Sequence, residues 1–199
     1  MADFFKTISH KSEGLFKEKG SKFLAFALPV TDEEQIKNIL KEFRKDFHDA
    51  RHVCFAWTLG PEMTNFRVSD DGEPSGTAGK PIHGQIVSRE LTDILVVVVR
   101  YFGGVLLGTG GLIQAYKEAA ADALNNAEII TKTVEKQLVI RFDYSLQNIV
   151  MKIIRDYQII VEERIMEMDC TYKLRVPQAS VIDLLGVLKN IHGIDVIYS

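Results

Sequence analysis

Two segments of this sequence carry residue types that do chemistry rather than packing. The first reads Ser69-Asp70-Asp71-Gly72-Glu73-Pro74-Ser75-Gly76-Thr77-Ala78-Gly79, with three carboxylates, three hydroxyls, three glycines and a proline in eleven positions. No core element needs that composition. Asp70, Asp71 and Glu73 are oxygen ligands of the kind Mg²⁺ accepts, and Ser69, Ser75 and Thr77 add hydroxyls that face either a ligand or neighbouring backbone groups. The plainer alternative is a tight surface loop that ends in a helix cap. The second segment is Arg100-Tyr101-Phe102-Gly103-Gly104-Val105-Leu106-Leu107-Gly108-Thr109-Gly110-Gly111, with five glycines in nine residues. Its glycines, followed by an apolar and small-residue stripe at helical spacing (Leu112, Ala115, Tyr116, Ala119, Ala123, Leu124), place Gly110 and Gly111 at a helix start. Unpaired N–H groups and the positive dipole end there suit a phosphate or a carboxylate. The spacing matches neither the P-loop nor the dinucleotide fingerprint, so Gly103, Gly104, Gly108, Thr109, Gly110 and Gly111 are read either as an anion cradle or as close helix–strand packing.

Other candidates are single side chains. Lys22, Arg51, His52, Lys80 and Arg100, with Arg67, are the cations available to a phosphate or a partner, and each is equally an ordinary surface or ion-paired residue. His52 and Cys54 share one face of a strand, but side chains two apart are ~7 Å apart at the backbone, so Cys54 reads as a small buried thiol.

Composition narrows the classes. The chain has 199 residues, 46% hydrophobic, and a formal charge of −3, so no global basic footprint recruits nucleic acid. Its two cysteines, Cys54 and Cys170, form no metal-binding or disulfide framework. The N-terminal residues lack a secretion signal and no apolar run reaches membrane length, so a soluble, cytoplasmic protein without a membrane partner is expected. No metal or cofactor is assigned.

These segments need a scaffold, and the pattern implies an α+β protein in two domains, residues 1–130 and 134–199. In the first, Thr7–Phe16 and Ser21–Leu28 read as paired strands, and Thr31 opens an amphipathic helix through Phe47. Arg51–Thr58 reads as a strand with Asn65–Val68 beside it, a short helix starts near Pro81, and the β-branched run Ile94–Val99 reads as a buried strand. Helices on one side of a sheet are expected. The second half reads β-α-β-β-α-β, a ferredoxin-like order, with Ser145 as cap of its first helix. Its third strand alternates Cys170, Tyr172, Leu174 and Val176 with Asp169, Thr171, Lys173 and Arg175. The wet face therefore lacks the stacking aromatics of an RNA-recognition sheet.

Ser21-Lys22-Phe23-Leu24-Ala25, His52 to Trp57, Ser69 to Ile82 and Val97 to Leu112 together resemble the YigZ/IMPACT family over roughly the first 130 residues, and the second half resembles the C-terminal domain of its bacterial YigZ members. The resemblance implies a first domain of the ribosomal-protein domain-2 type, an α/β sandwich shared with elongation factor G domain IV and GHMP kinases. It implies a second domain similar to elongation factor G domain V. Eukaryotic IMPACT proteins restrain, through a protein partner, a kinase that responds to amino-acid starvation. The implied function is therefore a translation-linked regulatory or binding protein acting through ribosome, RNA or a protein partner, and more a binder than an enzyme. The alternative is an enzyme or sensor for a small phosphorylated ligand or nucleotide, with or without Mg²⁺, in which the acidic loop and the glycine loop meet at one cleft. Gln114 stands where many relatives carry Arg in Gly-Gly-Leu-x-x-Ala-Tyr.

Overall fold

A computed structural model describes residues 3–198; Met1, Ala2 and Ser199, at the ends of the two expected domains, lie outside the described residues. In chain order the elements are β1 (Phe4–Ile8), β2 (Ser12–Glu18), β3 (Ser21–Pro29), α1 (Glu33–Asp46), β4 (His52–Leu59), β5 (Asn65–Ser69), α2 (Gly79–Ser88), β6 (Ile94–Tyr101), α3 (Gly108–Asn125) and β7 (Ile129–Thr133). There follow β8 (Glu135–Phe142), α4 (Gln147–Asp156), β9 (Ile160–Met166), β10 (Cys170–Pro177), α5 (Val181–Lys189) and β11 (Ile194–Tyr198). The chain divides into two compact units, one up to Lys132 and one from Thr133. No helix among the described residues is long and apolar enough to cross a membrane.

The first unit is built on a five-stranded sheet of order β2-β3-β6-β4-β5, antiparallel throughout. Its centre is β6, whose residues Ile94 to Val99 are fully buried. A strand apolar on both faces must be covered on both. Val96 and Val98 pack with Cys54, Ala56 and the inner faces of α2 and α3, whereas Val97 and Val99 pack with Phe55, Trp57 and the Ile36 and Phe43 side chains of α1. The expectation of helices on one side is thus corrected: α1 lies opposite α2 and α3, because β4 and β6 have no polar face to leave in water. Ala115, Ala119, Ala120 and Ala123 let α3 lie close to the sheet, where the Ser12 hydroxyl donates to the Ala123 carbonyl (2.8 Å).

Three boundaries differ from the sequence reading. Thr7–Phe16 is not one strand. The chain breaks at Ser9, whose N–H donates to the Glu128 carbonyl (3.0 Å) and whose hydroxyl donates to the Glu128 carboxylate (2.6 Å), so β1 leaves the main sheet and pairs with β7. The helix α1 begins at Glu33 rather than at Thr31, behind Asp32 as its cap, whose Oδ1 accepts from Gln35 N–H (2.8 Å). In the second unit Asp143, not Ser145, caps, because its carboxylate reaches the Ser145 N–H (2.8 Å) and opens a short 3-10 turn ahead of α4.

That second unit is a ferredoxin-like sheet of order β11-β8-β10-β9. Leu138, Ile140, Phe142, Tyr172 and Leu174 meet Val150, Ile153 and Leu184 of α4 and α5 in one core. On the open face Lys173 pairs with Glu163 (2.5 Å), Arg175 with Glu162 (2.9 Å) and Arg141 with Asp169. Tyr172 is buried, so β10 presents the charged face that its alternation predicted.

Candidate functional site

The antiparallel register of β4 and β6 sets His52 directly across from Arg100, at the sheet end from which the glycine loop leaves. Both lie on the face that carries Cys54, the side covered by α2 and α3. Arg100 is only 6% exposed, and a buried guanidinium requires a partner. The acidic loop supplies it: Glu73, 8% exposed, accepts from Arg100 Nη1 (2.6 Å) and from the Tyr116 hydroxyl (2.8 Å), and the Cys54 thiol donates in turn to that hydroxyl (3.3 Å). Stacking adds to the pair, since the Arg100 guanidinium carbon lies 5.4 Å and 5.7 Å from the ring centroids of Phe23 and Phe102. Arg100 Nε has no hydrogen-bond partner. Burial, reinforced by the nearby carboxylates, pushes the Cys54 thiol up to about 12. The Tyr116 hydroxyl is pushed up by burial and then by its Cys54 and Glu73 neighbours. Both groups stay protonated at neutral pH, and Cys54 is no nucleophile there.

The other two carboxylates hold the acidic loop in shape. Asp70 Oδ1 accepts from the N–H groups of Ala78 (3.0 Å) and Gly79 (2.8 Å), and Oδ2 accepts from Gly76 N–H (2.8 Å). It thereby serves the first turn of α2, which has no side-chain cap of its own. Burial pushes the Asp70 carboxyl up, but the three backbone donors and the Lys80 charge outweigh it and hold it below the usual range. Asp71 takes a left-handed φ of 44°, accepts from Val53 N–H (2.7 Å), and pairs with Arg44 of α1 (2.5 Å). Its carbonyl accepts from His52 Nδ1 (2.8 Å), which leaves His52 Nε2 turned toward Glu73 Oε1 at 3.9 Å. The Thr77 hydroxyl donates to the Pro74 carbonyl (2.7 Å). With their oxygens on three separate partner sets, Asp70, Asp71 and Glu73 do not converge. No group of three His, Cys, Asp or Glu side chains placed for a metal ion occurs among the described residues. The Mg²⁺ reading loses the ligand set it requires.

The glycine loop does two jobs. Gly103 is a close approach: a Cβ there would fall 1.9 Å from the Gly20 carbonyl carbon. Gly104 and Gly108 take positive φ values of 89° and 68°, which turns the chain into α3. The helix begins at Gly108, two residues before the expected start, so Gly110 and Gly111 belong to its first turn rather than to the loop. No side chain caps that turn.

Between the loops lies a cleft of about 330 Å³. Of the candidates, Arg51, His52, Glu73, Arg100, Gly108 and Thr109 line it, together with Phe102 and Leu106, which are 48% and 83% exposed. Lys22, Ser69, Ser75, Lys80, Gly110 and Gly111 lie outside its lining. Ser69 instead packs against Gly79, where an added Cβ would come within 2.7 Å of the Ser69 nitrogen. Sequence reasoning missed Tyr116 and Arg44. Tyr116 looked like one more member of the α3 stripe, and the one signal against that was a hydroxyl at a core position, which must find a partner.

Residues 19–124 match the family model described as the Impact N-terminal domain. The chain belongs to the IMPACT family. It is 30% identical over 163 residues to IMPACT family member YvyE of Bacillus subtilis, covering 82% of this chain and 75% of that one. To IMPACT family member YigZ of Escherichia coli it is 38% identical over 128 residues, 63% of each. Protein IMPACT homolog of Saccharomyces cerevisiae is 36% identical over 96 residues, covering 46% of this chain and 36% of that one. The crystal structure of a hypothetical protein superposes with a TM-score of 0.78 at 26% identity, covering 100% of this chain and 98% of that chain. The similarity to YvyE and to that structure thus reaches beyond the first unit, whereas the yeast relative matches less than half of the chain.

Proposed function

We propose that this IMPACT family chain is a translation-linked binding protein that engages the RNA of the ribosome through the two-loop cleft. The translation link rests on family membership. The observation that carries the site is the convergence of both loops on one cleft, where the exposed cation Arg51 stands beside the exposed side chains of Phe102 and Leu106. Apolar side chains left in water beside a cation are the composition of a recognition surface. Glu73, the carboxylate in the lining, is already neutralised by Arg100 and does not repel a phosphate-bearing partner at full strength.

Co-sedimentation with ribosomes and separated subunits across a salt series tests this reading. Wild-type protein is expected in the pellet at low salt and released as salt rises, because phosphate contacts release counterions. The Arg51→Glu/Leu106→Asp double variant changes only exposed positions and is expected to stay in the supernatant. Absence of wild-type binding at low salt, or equal binding of the variant, refutes the reading.

A further inference from the structure

We infer that the two-loop cleft receives a single unpaired guanine base, read at the N1–H and 2-amino donors of its Watson–Crick edge. This rests on the cleft being the RNA-facing surface proposed above, and it names what is recognised there.

The polar lining holds acceptors that lack donors. His52 donates its Nδ1–H to the Asp71 carbonyl (2.8 Å), so in the neutral ring Nε2 carries a lone pair and no proton. That nitrogen lies 3.9 Å from Glu73 Oε1, and both residues line the cleft. Glu73 Oε1 accepts from Arg100 Nη1 and from the Tyr116 hydroxyl. A carboxylate has about four lone-pair sites, and among the described residues nothing donates to Glu73 Oε2. Neither Oε2 nor His52 Nε2 is among the fully buried side-chain atoms that lack a partner. Both atoms therefore touch open space, and the open space that these two residues share is the cleft. The Glu73 side chain is otherwise enclosed, at 3% exposure, and an acceptor so placed calls for a donor from an occupant.

The lining then selects the occupant. Two neighbouring acceptors match two neighbouring donors. Guanine is the RNA base that carries donors side by side on this edge, at N1 and at the 2-amino group. Adenine and cytosine set one amino donor beside ring-nitrogen acceptors, and uracil sets one N–H between two carbonyls. Arg100 neutralises the Glu73 charge, so the neutral N–H groups of a base suit the cleft better than an ammonium does. The exposed side chains of Phe102 and Leu106 supply an apolar flank on which the base rests. A volume of about 330 Å³ holds one base with its sugar rather than a stack of several.

The test uses the purified full chain at about pH 8, where an imidazole is neutral. Guanosine, inosine and adenosine are titrated by calorimetry; inosine keeps the N1–H and lacks only the 2-amino group. A labelled oligouridine with one central guanine, hypoxanthine or adenine is titrated by anisotropy. Guanine is expected to bind at least about ten-fold more tightly than adenine, with hypoxanthine between them. Preference in either format supports the inference, and the format separates a base within a strand from a free nucleoside. Glu73→Gln replaces an acceptor oxygen with an amide donor and is expected to abolish the preference. Equal binding of guanine and adenine, equal binding of guanine and hypoxanthine, or no binding of any probe overturns the inference. An undiminished preference in a folded Glu73→Gln protein also overturns it, and if that variant does not fold the wild-type comparison decides alone. Ribosome sedimentation without a guanine preference overturns this inference and leaves the proposed function standing.

Discussion

Replacing Asp70 should cost stability rather than ligand affinity, and the structure sets the size of the loss. Its carboxylate accepts three backbone N–H bonds of 2.8 to 3.0 Å, two of them from the buried residues Ala78 and Gly79, where water cannot substitute. A hydrogen bond to a charged acceptor contributes ~1.5–3 kcal/mol, and such terms do not add fully. Asp70→Ala is therefore expected to destabilise the first unit by on the order of 3–4 kcal/mol, roughly 10–15 °C in melting temperature for a unit of this size. Asp70→Asn keeps an oxygen for Ala78 and Gly79 but turns an amide against the Gly76 N–H. Its loss should be smaller, about 2 kcal/mol.

Urea titration followed by Trp57 fluorescence measures this directly, because Trp57 is the sole tryptophan of the sequence and is buried in the same unit. The pH dependence gives a second readout. The folded Asp70 carboxyl lies below its unfolded value of about 3.9, so its contribution is fully present above that pH and is lost as pH falls through the lower folded value. The gap between wild type and Asp70→Asn should accordingly close in acid. An Asp70→Ala protein within ~0.5 kcal/mol of wild type at pH 7 would sink the assignment of Asp70 to the α2 cap.

Other positions yield equally definite outcomes. Arg100→Met leaves the buried Glu73 charge with only the Tyr116 hydroxyl and should cost about 3–5 kcal/mol, whereas adding Glu73→Gln should recover part of that loss in a double-mutant cycle; simple additivity would refute the pairing. Cys54, buried and with its thiol pushed up to about 12, should react with a maleimide at pH 7.5 no faster than the first unit opens, as read by peptide mass spectrometry; prompt labelling of native protein would contradict this. Gly103→Ala drives a Cβ into the Gly20–Ser21 backbone and should destabilise by more than ~2 kcal/mol, while Gly110→Ala, into open space and with ordinary backbone, should stabilise by about 0.4–1 kcal/mol; the two are separated by the same urea titration.

What the residues disclosed in advance follows from the range over which each feature is decided. The β6 run, the α1 face and the alternation along β10 are local patterns of period one, 3.6 and two, and each sits where its period puts it. The pairing of β1 with β7 joins segments more than 120 residues apart, and nothing within Phe4–Ile8 specifies so distant a partner. The site divides in the same way. Composition marked both loops as chemically unusual, but three carboxylates in four residues carry no record of which one is spent. That is decided by competition among donors supplied from elsewhere: the amides of α2 claim Asp70, Arg44 and the start of β4 claim Asp71, and the buried Arg100 claims Glu73. Each claim removes a ligand from solution and leaves a geometric constraint behind. Glu73, so constrained, holds Arg100 at the cleft wall, and the His52 bond to the Asp71 carbonyl fixes which imidazole nitrogen is free. A loop whose acids had all remained available would have been a better metal site and a looser cleft. With its acids committed, the acidic loop acts as a frame, and the free donors at the cleft are those of Arg51 and the first turn of α3, with the His52 Nε2 beside them as an acceptor.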